Sequence, residues 1–209
     1  MAIVLLGLVL SATQEVPAAF EMPFTATGES EARVWQEKAR TRLLDLVEAQ
    51  NPRTDKPLDV EIGPAEDKEG YSQADLRFTG NEGDRIEATL TVPKGGGPFP
   101  AIVTLHGHGG NRFKVHDPET EYRGFAADYA RRGFVTLSPT LGHCTYAANQ
   151  LWNLMRLVDV VETLPSVDRD RIGVAGLSMG GEWTMWLAVC DLRIKAAVVS
   201  GWMCSTEGV

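Results

Sequence analysis

From residue 101 onward the chain alternates short apolar runs with longer stretches of helical period, and this alternation restricts the fold more than any other feature. The runs 101–105, 134–137, 171–175 and 196–200 have strand length. Between them lie segments near 119–132, 148–164 and 179–190 that are long enough for helices. Strands joined by crossovers of this kind pair in parallel, and right-handed connections place the helices on both faces of the sheet. The expected class is therefore α/β, a mostly parallel sheet with helices on both faces. Residues 74–79 and 85–92 add a hairpin about Gly80-Asn81-Glu82-Gly83-Asp84, in which Ile86, Ala88, Leu90 and Val92 alternate as in a half-buried strand. That hairpin is expected to supply an antiparallel edge.

Upstream the pattern is different. Trp35, Ala39 and Leu43 recur at a spacing of four, with Leu44 and Val47 beside them, which predicts an amphipathic helix over 29–49. The segment 50–70 carries Asn51-Pro52, Pro57 and Gly63-Pro64 and reads as an irregular connection. Residues 1–10 form an apolar run too short to span a bilayer and of the length of a signal-peptide core. The organisation expected is an export leader over 1–14, a helical extension and connection over 15–70, and a main domain over 71–209. A secreted or periplasmic location follows from that leader. A cytoplasmic one is the alternative, because no Lys or Arg precedes the run.

Charge narrows the partners. Lys and Arg number 20 against 28 Asp and Glu, a net charge of −8 over 209 residues, so a basic face for nucleic acid has no compositional support. The three cysteines, Cys144, Cys190 and Cys204, form no Cys-x-x-Cys pair and read as free thiols, buried at 190 and 204.

Chemistry concentrates in two glycine-rich segments. Gly176-Leu177-Ser178-Met179-Gly180-Gly181 places Gly-x-Ser-x-Gly between a strand and a helix. A serine on so tight a turn takes strained dihedrals, and residues two before and two after must be small for the strand and helix backbones to approach. Gly176 and Gly180 meet that demand. Ser178 is the candidate nucleophile, and the Met179 N–H at the start of the helix is a candidate donor to a developing oxyanion. The second segment, His106-Gly107-His108-Gly109-Gly110, follows the strand 101–105 and so falls at the same carboxyl edge of the sheet. Its glycines, Gly107 and Gly109 among them, let the backbone turn, and the His108 N–H is the second candidate oxyanion donor. The imidazoles of this segment read as structural, and the alternative to an oxyanion loop is a turn that needs positive φ at Gly109 and Gly110 and nothing more.

Rival readings fit less well. His106-x-His108 with His116-Asp117 suggests a metallo-hydrolase cluster, but Gly110 and Asn111 stand where further ligands are needed, so no metal is expected. Neither a dinucleotide glycine pattern nor a phosphate loop is present, and no cofactor is called for.

On these residues, together with Tyr129-Ala-Arg-Arg-Gly-Phe-Val135 and Val167-Asp-Arg-Asp-Arg-Ile172, the sequence resembles the α/β-hydrolase superfamily, in particular its dienelactone-hydrolase-like and acetyl-xylan-esterase-like serine esterases. The likeness runs over about 71–201. It implies that Ser178 forms an acyl-enzyme on a small-molecule or carbohydrate ester, with a histidine as base and an acid to orient it. Dienelactone hydrolases carry cysteine at the position of Ser178, which favours ester hydrolysis here. In that superfamily the acid and the histidine follow the serine. All four histidines, His106, His108, His116 and His143, precede Ser178. The resemblance thus implies a partial hydrolase domain over 71–209 that lacks its carboxy-terminal strands, its acid and its base, and is itself inactive. Two alternatives stand beside it: a peptidase of the same superfamily, and a non-catalytic binding module on a degenerate scaffold. An unusual base such as His143, otherwise a pocket-lining residue, belongs to the reading of a complete chain, as does Glu207 as a variant acid. Oligomeric state is left open by the sequence.

Overall fold

The computed structural model describes residues 22–142 and 147–202. The leader expected over 1–14, and His143, Cys144, Cys204 and Glu207, lie outside the described residues. The chain divides into two compact units between Thr41 and Arg42. Helix α1 (Glu29–Gln50) runs through that division. Before it, Trp35 meets Phe24 edge-on at 5.0 Å and donates its indole N–H to the Pro23 carbonyl, while Glu31 accepts from the Thr27 N–H and hydroxyl. After it, Leu43, Leu44 and Val47 pack against the core of the second unit.

That second unit is built on one mixed sheet. Two short strands, β1 (Glu61–Ile62) and β2 (Glu66–Lys68), lie in the stretch expected to be irregular and pair with β3 (Tyr71–Thr79). Strand β3 forms the expected hairpin with β4 (Arg85–Pro93), in register from Tyr71↔Pro93 to Thr79↔Arg85. The sheet continues with β5 (Phe99–Leu105), β6 (Val135–Pro139), β7 (Val167–Leu177) and β8 (Ile194–Ser200), in the spatial order β1-β3-β4-β6-β5-β7-β8. The pairs β5/β6, β5/β7 and β7/β8 are parallel, and β4/β6 is antiparallel, so the hairpin is the antiparallel margin of a parallel sheet.

The crossovers are α2 (Phe125–Arg131), α3 (Ala147–Thr163) and α4 (Met179–Cys190). Helix α2 begins six residues later than the sequence pattern suggests. Arg123 and Gly124 both take positive φ, at 53° and 62°, and a left-handed pair cannot continue a helical turn. Cys190 closes α4 as a buried free thiol.

Alternation along the strands gives the sheet two unlike faces. Leu76, Phe78, Ala88, Leu90, Val103, Leu105, Leu137, Ile172 and Val174 point to one side, where Leu151, Leu154, Leu157, Val158 and Val161 of α3 and Leu187 of α4 complete the main apolar core. The other side is covered by α2 and the segment before it, through Val115, Tyr122 and Ala126, with Leu177 against them. Helix α3 is also tied by polar contacts. Arg156, buried, donates to the carbonyls of Thr79, Lys56 and Pro57, and Asn153 Oδ1 accepts the Asn81 N–H at 2.6 Å, fixing the hairpin turn to the helix.

The connection leaving β5 goes to β6 on one side and the connection leaving β7 goes to β8 on the other. The crossovers therefore diverge at the β5/β7 pair, and its carboxyl edge is the position at which open α/β sheets bind ligands. A Leu137→Ala change, which empties a side chain 1% exposed at the centre of the core, is expected to cost about 2–5 kcal/mol of unfolding free energy, read from urea denaturation.

Candidate functional site

Ser178 stands at the junction of β7 and α4, at the carboxyl edge of the sheet. It is exposed, with φ 56° and ψ −122°, a left-handed backbone that a residue with a Cβ rarely adopts. The strain is held from both sides. The Ser178 N–H donates to the Ser200 carbonyl at 2.8 Å, prolonging the β7/β8 ladder, and the Ser178 carbonyl accepts the first helical bond of α4 from Glu182 at 3.0 Å. The amides of Met179, Gly180 and Gly181 precede that first bond and have no partner within the helix, so they and the helix dipole form a patch of positive potential beside the serine.

The two flanking glycines are required by contact. A Cβ on Gly176 would run into the Gly180 carbonyl group and approach Thr184 Oγ1 to 2.8 Å. One on Gly180 would run into the Leu105 carbonyl oxygen and reach the His106 carbonyl oxygen at 2.7 Å. Gly107 closes the site from the other segment: its missing Cβ would lie 2.9 Å from the Leu177 carbonyl oxygen and 3.2 Å from Ser178 Cβ. The structure thus brings together the two glycine-rich segments that are 70 residues apart in sequence.

The second segment is a tight turn. The Gly110 N–H donates to the Gly107 carbonyl at 3.0 Å, with His108 and Gly109 at the corners. Gly109 has φ 69°. Gly110 does not take the positive φ that the turn-only alternative asks of it; there the constraint is space, since a Cβ would stand 2.5 Å from the Tyr122 hydroxyl and 2.9 Å from the His106 ring. Gly107 gives its own N–H to the Tyr122 hydroxyl at 2.8 Å, so that amide is committed to holding the turn. His108, at the exposed corner, carries the other candidate oxyanion donor.

The histidines have distinct positions. His106 is 1% exposed. Its Nε2 accepts the Leu141 N–H at 2.8 Å, so its proton sits on Nδ1, 2.7 Å from the Gly107 carbonyl. Burial holds its pKa below the usual value. Nε2 joins the end of β5 to the loop after β6 and Nδ1 is held by the carbonyl of the next residue, which leaves neither nitrogen for a metal or for proton transfer. His116, in the short 3-10 helix Lys114–His116, places Nε2 2.9 Å from Ser138 Oγ, and burial together with the Arg112 guanidinium pushes its pKa down to about 4. Among the described residues no three His, Cys, Asp or Glu side chains gather closely enough to hold a metal ion.

The sequence pattern did not reveal Arg112. It is 5% exposed, donates from Nη1 to Asp75 Oδ1 at 2.5 Å and to Thr89 Oγ1 at 2.9 Å, and stacks on the Phe113 ring at 3.9 Å. A lone Arg in a glycine-rich loop gives no signal of burial, because its partners lie on β3 and β4 and only strand order brings them near.

The class defined by this topology is the α/β-hydrolase fold. No family model matches the chain. A sequence relative, the uncharacterised protein PA2218 of Pseudomonas aeruginosa, is 32% identical over 137 residues, covering 60% of this chain and 35% of the relative. Acyl-coenzyme A thioesterase 3 of Mus musculus is 31% identical over 127 residues, covering 55% of this chain and 26% of the relative. Among solved structures, acetyl xylan esterase 1 from Thermoanaerobacterium superposes with a TM-score of 0.57 at 21% identity, covering 76% of this chain and 55% of that one. The methylesterase BT1017 does so with a TM-score of 0.67 at 19% identity, covering 84% and 43%. The chain thus spans about a third of the first of these relatives and about half of these structures.

The His116 environment sets a pH dependence. Its folded pKa of about 4 lies below the ordinary 6.5, so the unfolded chain binds a proton between those values while the folded protein does not. Stability from this group is full above about pH 6.5 and falls as pH drops towards 4. The urea midpoint is expected to decline over that window, and to decline less steeply in His116→Gln.

Proposed function

We propose that this chain carries the nucleophile and oxyanion site of a serine-dependent carboxylic ester hydrolase. The observation that supports the reading most directly is an exposed Ser178 held at φ 56° against the amino terminus of α4, with the Gly107 turn packed on its Cβ. In this reading Ser178 Oγ attacks the ester carbonyl carbon while a histidine base takes its proton. The oxyanion that forms is received by the Met179 N–H and, from the facing turn, the His108 N–H. Collapse of the tetrahedral intermediate breaks the carbon–oxygen bond to the alcohol, which leaves with the proton. Water then attacks the acyl-enzyme, giving the carboxylic acid and free Ser178.

His106 and His116 are not assigned the role of base, since their ring contacts tie them to the Gly107 carbonyl and Leu141 and to Ser138. Small esters, acetylated carbohydrate and thioesters are the substrates that the similar proteins suggest, because an acetyl xylan esterase and an acyl-coenzyme A thioesterase are among them. Export through residues 1–14 belongs to the same proposal. No helix among the described residues is long and apolar enough to cross a membrane.

The test is fluorophosphonate labelling of the full-length gene product with turnover of p-nitrophenyl acetate. Labelling at Ser178 is expected, with loss of label and a fall in kcat of at least about 1,000-fold in Ser178→Ala. Turnover unchanged by that substitution would refute the serine mechanism, and absence of any turnover would favour a binding module. Activity on peptide amides at rates comparable to esters would move the assignment to a peptidase.

A further inference from the structure

A row of polar side chains, buried at Thr89, Ser138 and Thr104 and open to solvent at Asp75, crosses the sheet under the segment that follows the Gly107 turn, and nothing in the proposed ester hydrolysis uses it. Register places Asp75, Thr89 and Ser138 side by side on β3, β4 and β6. The row extends to Thr104 of β5, whose Oγ1 is 2.6 Å from Ser138 Oγ. Thr89, Ser138 and Thr104 are each 0% exposed. Two side chains of the segment that follows the turn rest on this row. Arg112 binds Asp75 and Thr89, with its Nε 3.7 Å from Glu87 Oε2, and His116 binds Ser138. Lys114, between them, reaches back to the Gly109 carbonyl at 3.3 Å.

Hydroxyls buried in a sheet cost free energy unless paired, and here two of the three are paired with Arg112 and His116 rather than with one another alone. The contacts fix the loop at points two and six residues beyond Gly110. Its other end is fixed by His106, bonded to Leu141, and by Tyr122, bonded to Gly107. The turn that presents the His108 N–H is thereby clamped on both sides. Oxyanion donors act only where they are already aimed at the developing charge, so displacement of this turn slows the chemical step while leaving substrate binding nearly unchanged.

We infer that Arg112 and His116 are positioning residues for the oxyanion turn, holding it through the Asp75-Thr89-Ser138-Thr104 row. The inference rests on the serine-hydrolase reading above. Neither residue touches substrate in this account.

The experiment measures kcat and KM of the full-length gene product on p-nitrophenyl acetate, per active site titrated with fluorophosphonate, for Arg112→Met, Arg112→Lys, His116→Gln and Asp75→Asn beside Ser178→Ala. Titration counts folded sites, so lost protein is not mistaken for slow chemistry. Arg112→Met and His116→Gln are expected to lower kcat about 10- to 100-fold with KM within about twofold, and Arg112→Lys to recover part of the loss. Asp75→Asn, whose carboxylate is largely exposed, tests the same contact if Arg112→Met does not fold, with an expected fall of about threefold to tenfold in kcat. Wild-type kcat per titrated site in Arg112→Met and His116→Gln, or in Asp75→Asn where Arg112→Met is not recovered, with Ser178→Ala inactive, overturns the positioning role alone. Turnover that survives Ser178→Ala, or no turnover in the wild type, overturns the hydrolase reading and the positioning role with it.

Discussion

The β7 to α4 turn closes only because two positions carry no side chain. At Gly176 the strand lies against the first turn of its own helix, and at Gly180 the helix lies against the end of the neighbouring strand β5. These approaches bring three backbones, from β5, β7 and α4, together at one point of the sheet edge. Everything exposed there follows: the left-handed backbone of Ser178, the amides that precede the first helical bond of α4, and contact with the Gly107 turn. The strain at Ser178 is sustained by the Ser200 and Glu182 hydrogen bonds, which would both have to break for the residue to relax.

The two faces of the sheet do different work. The face under α3 and α4 is closely packed aliphatic and aromatic matter, and its contribution scales with area removed from water. The face under the Gly107 to Tyr122 segment is polar at its centre. There, hydrogen bonds of fixed length and direction specify position, which apolar contact alone does less sharply. Arg193 illustrates the same economy at a distance from the site: it joins Asp191, Asp159 and Glu162 and reaches the Met155 carbonyl, tying the start of β8 to α3.

Much of this architecture is legible in the sequence because it is local. The strand at 101–105, the hairpin about 80–84 and the glycine spacing around Ser178 are each written within a dozen residues, and the structure has the strands and helices they imply. The helical pattern over 119–132 overruns α2, since the charged residues from Glu119 to Arg123 fit a helical surface as well as they fit a turn, and only the backbone at Arg123 and Gly124 decides. The short strands β1 and β2 were hidden by prolines and charge. The polar row was illegible for a different reason: Thr89, Thr104 and Ser138 alternate with apolar neighbours as solvent-facing positions do, and their burial depends on a loop arriving from elsewhere in the chain. His106 and Gly110 show the intermediate case, in which the residue type was conspicuous and its physical reason was visible only in three dimensions.

The arrangement of the histidines bears on how the protein would respond to chemical modification. Reagents that acylate imidazole need a nitrogen lone pair open to solvent, and the two ring nitrogens of His106 are both turned inward to backbone groups. His116 is shielded by Arg112, Ser138 and the sheet. A rapid loss of function on such treatment therefore reports an imidazole other than these two.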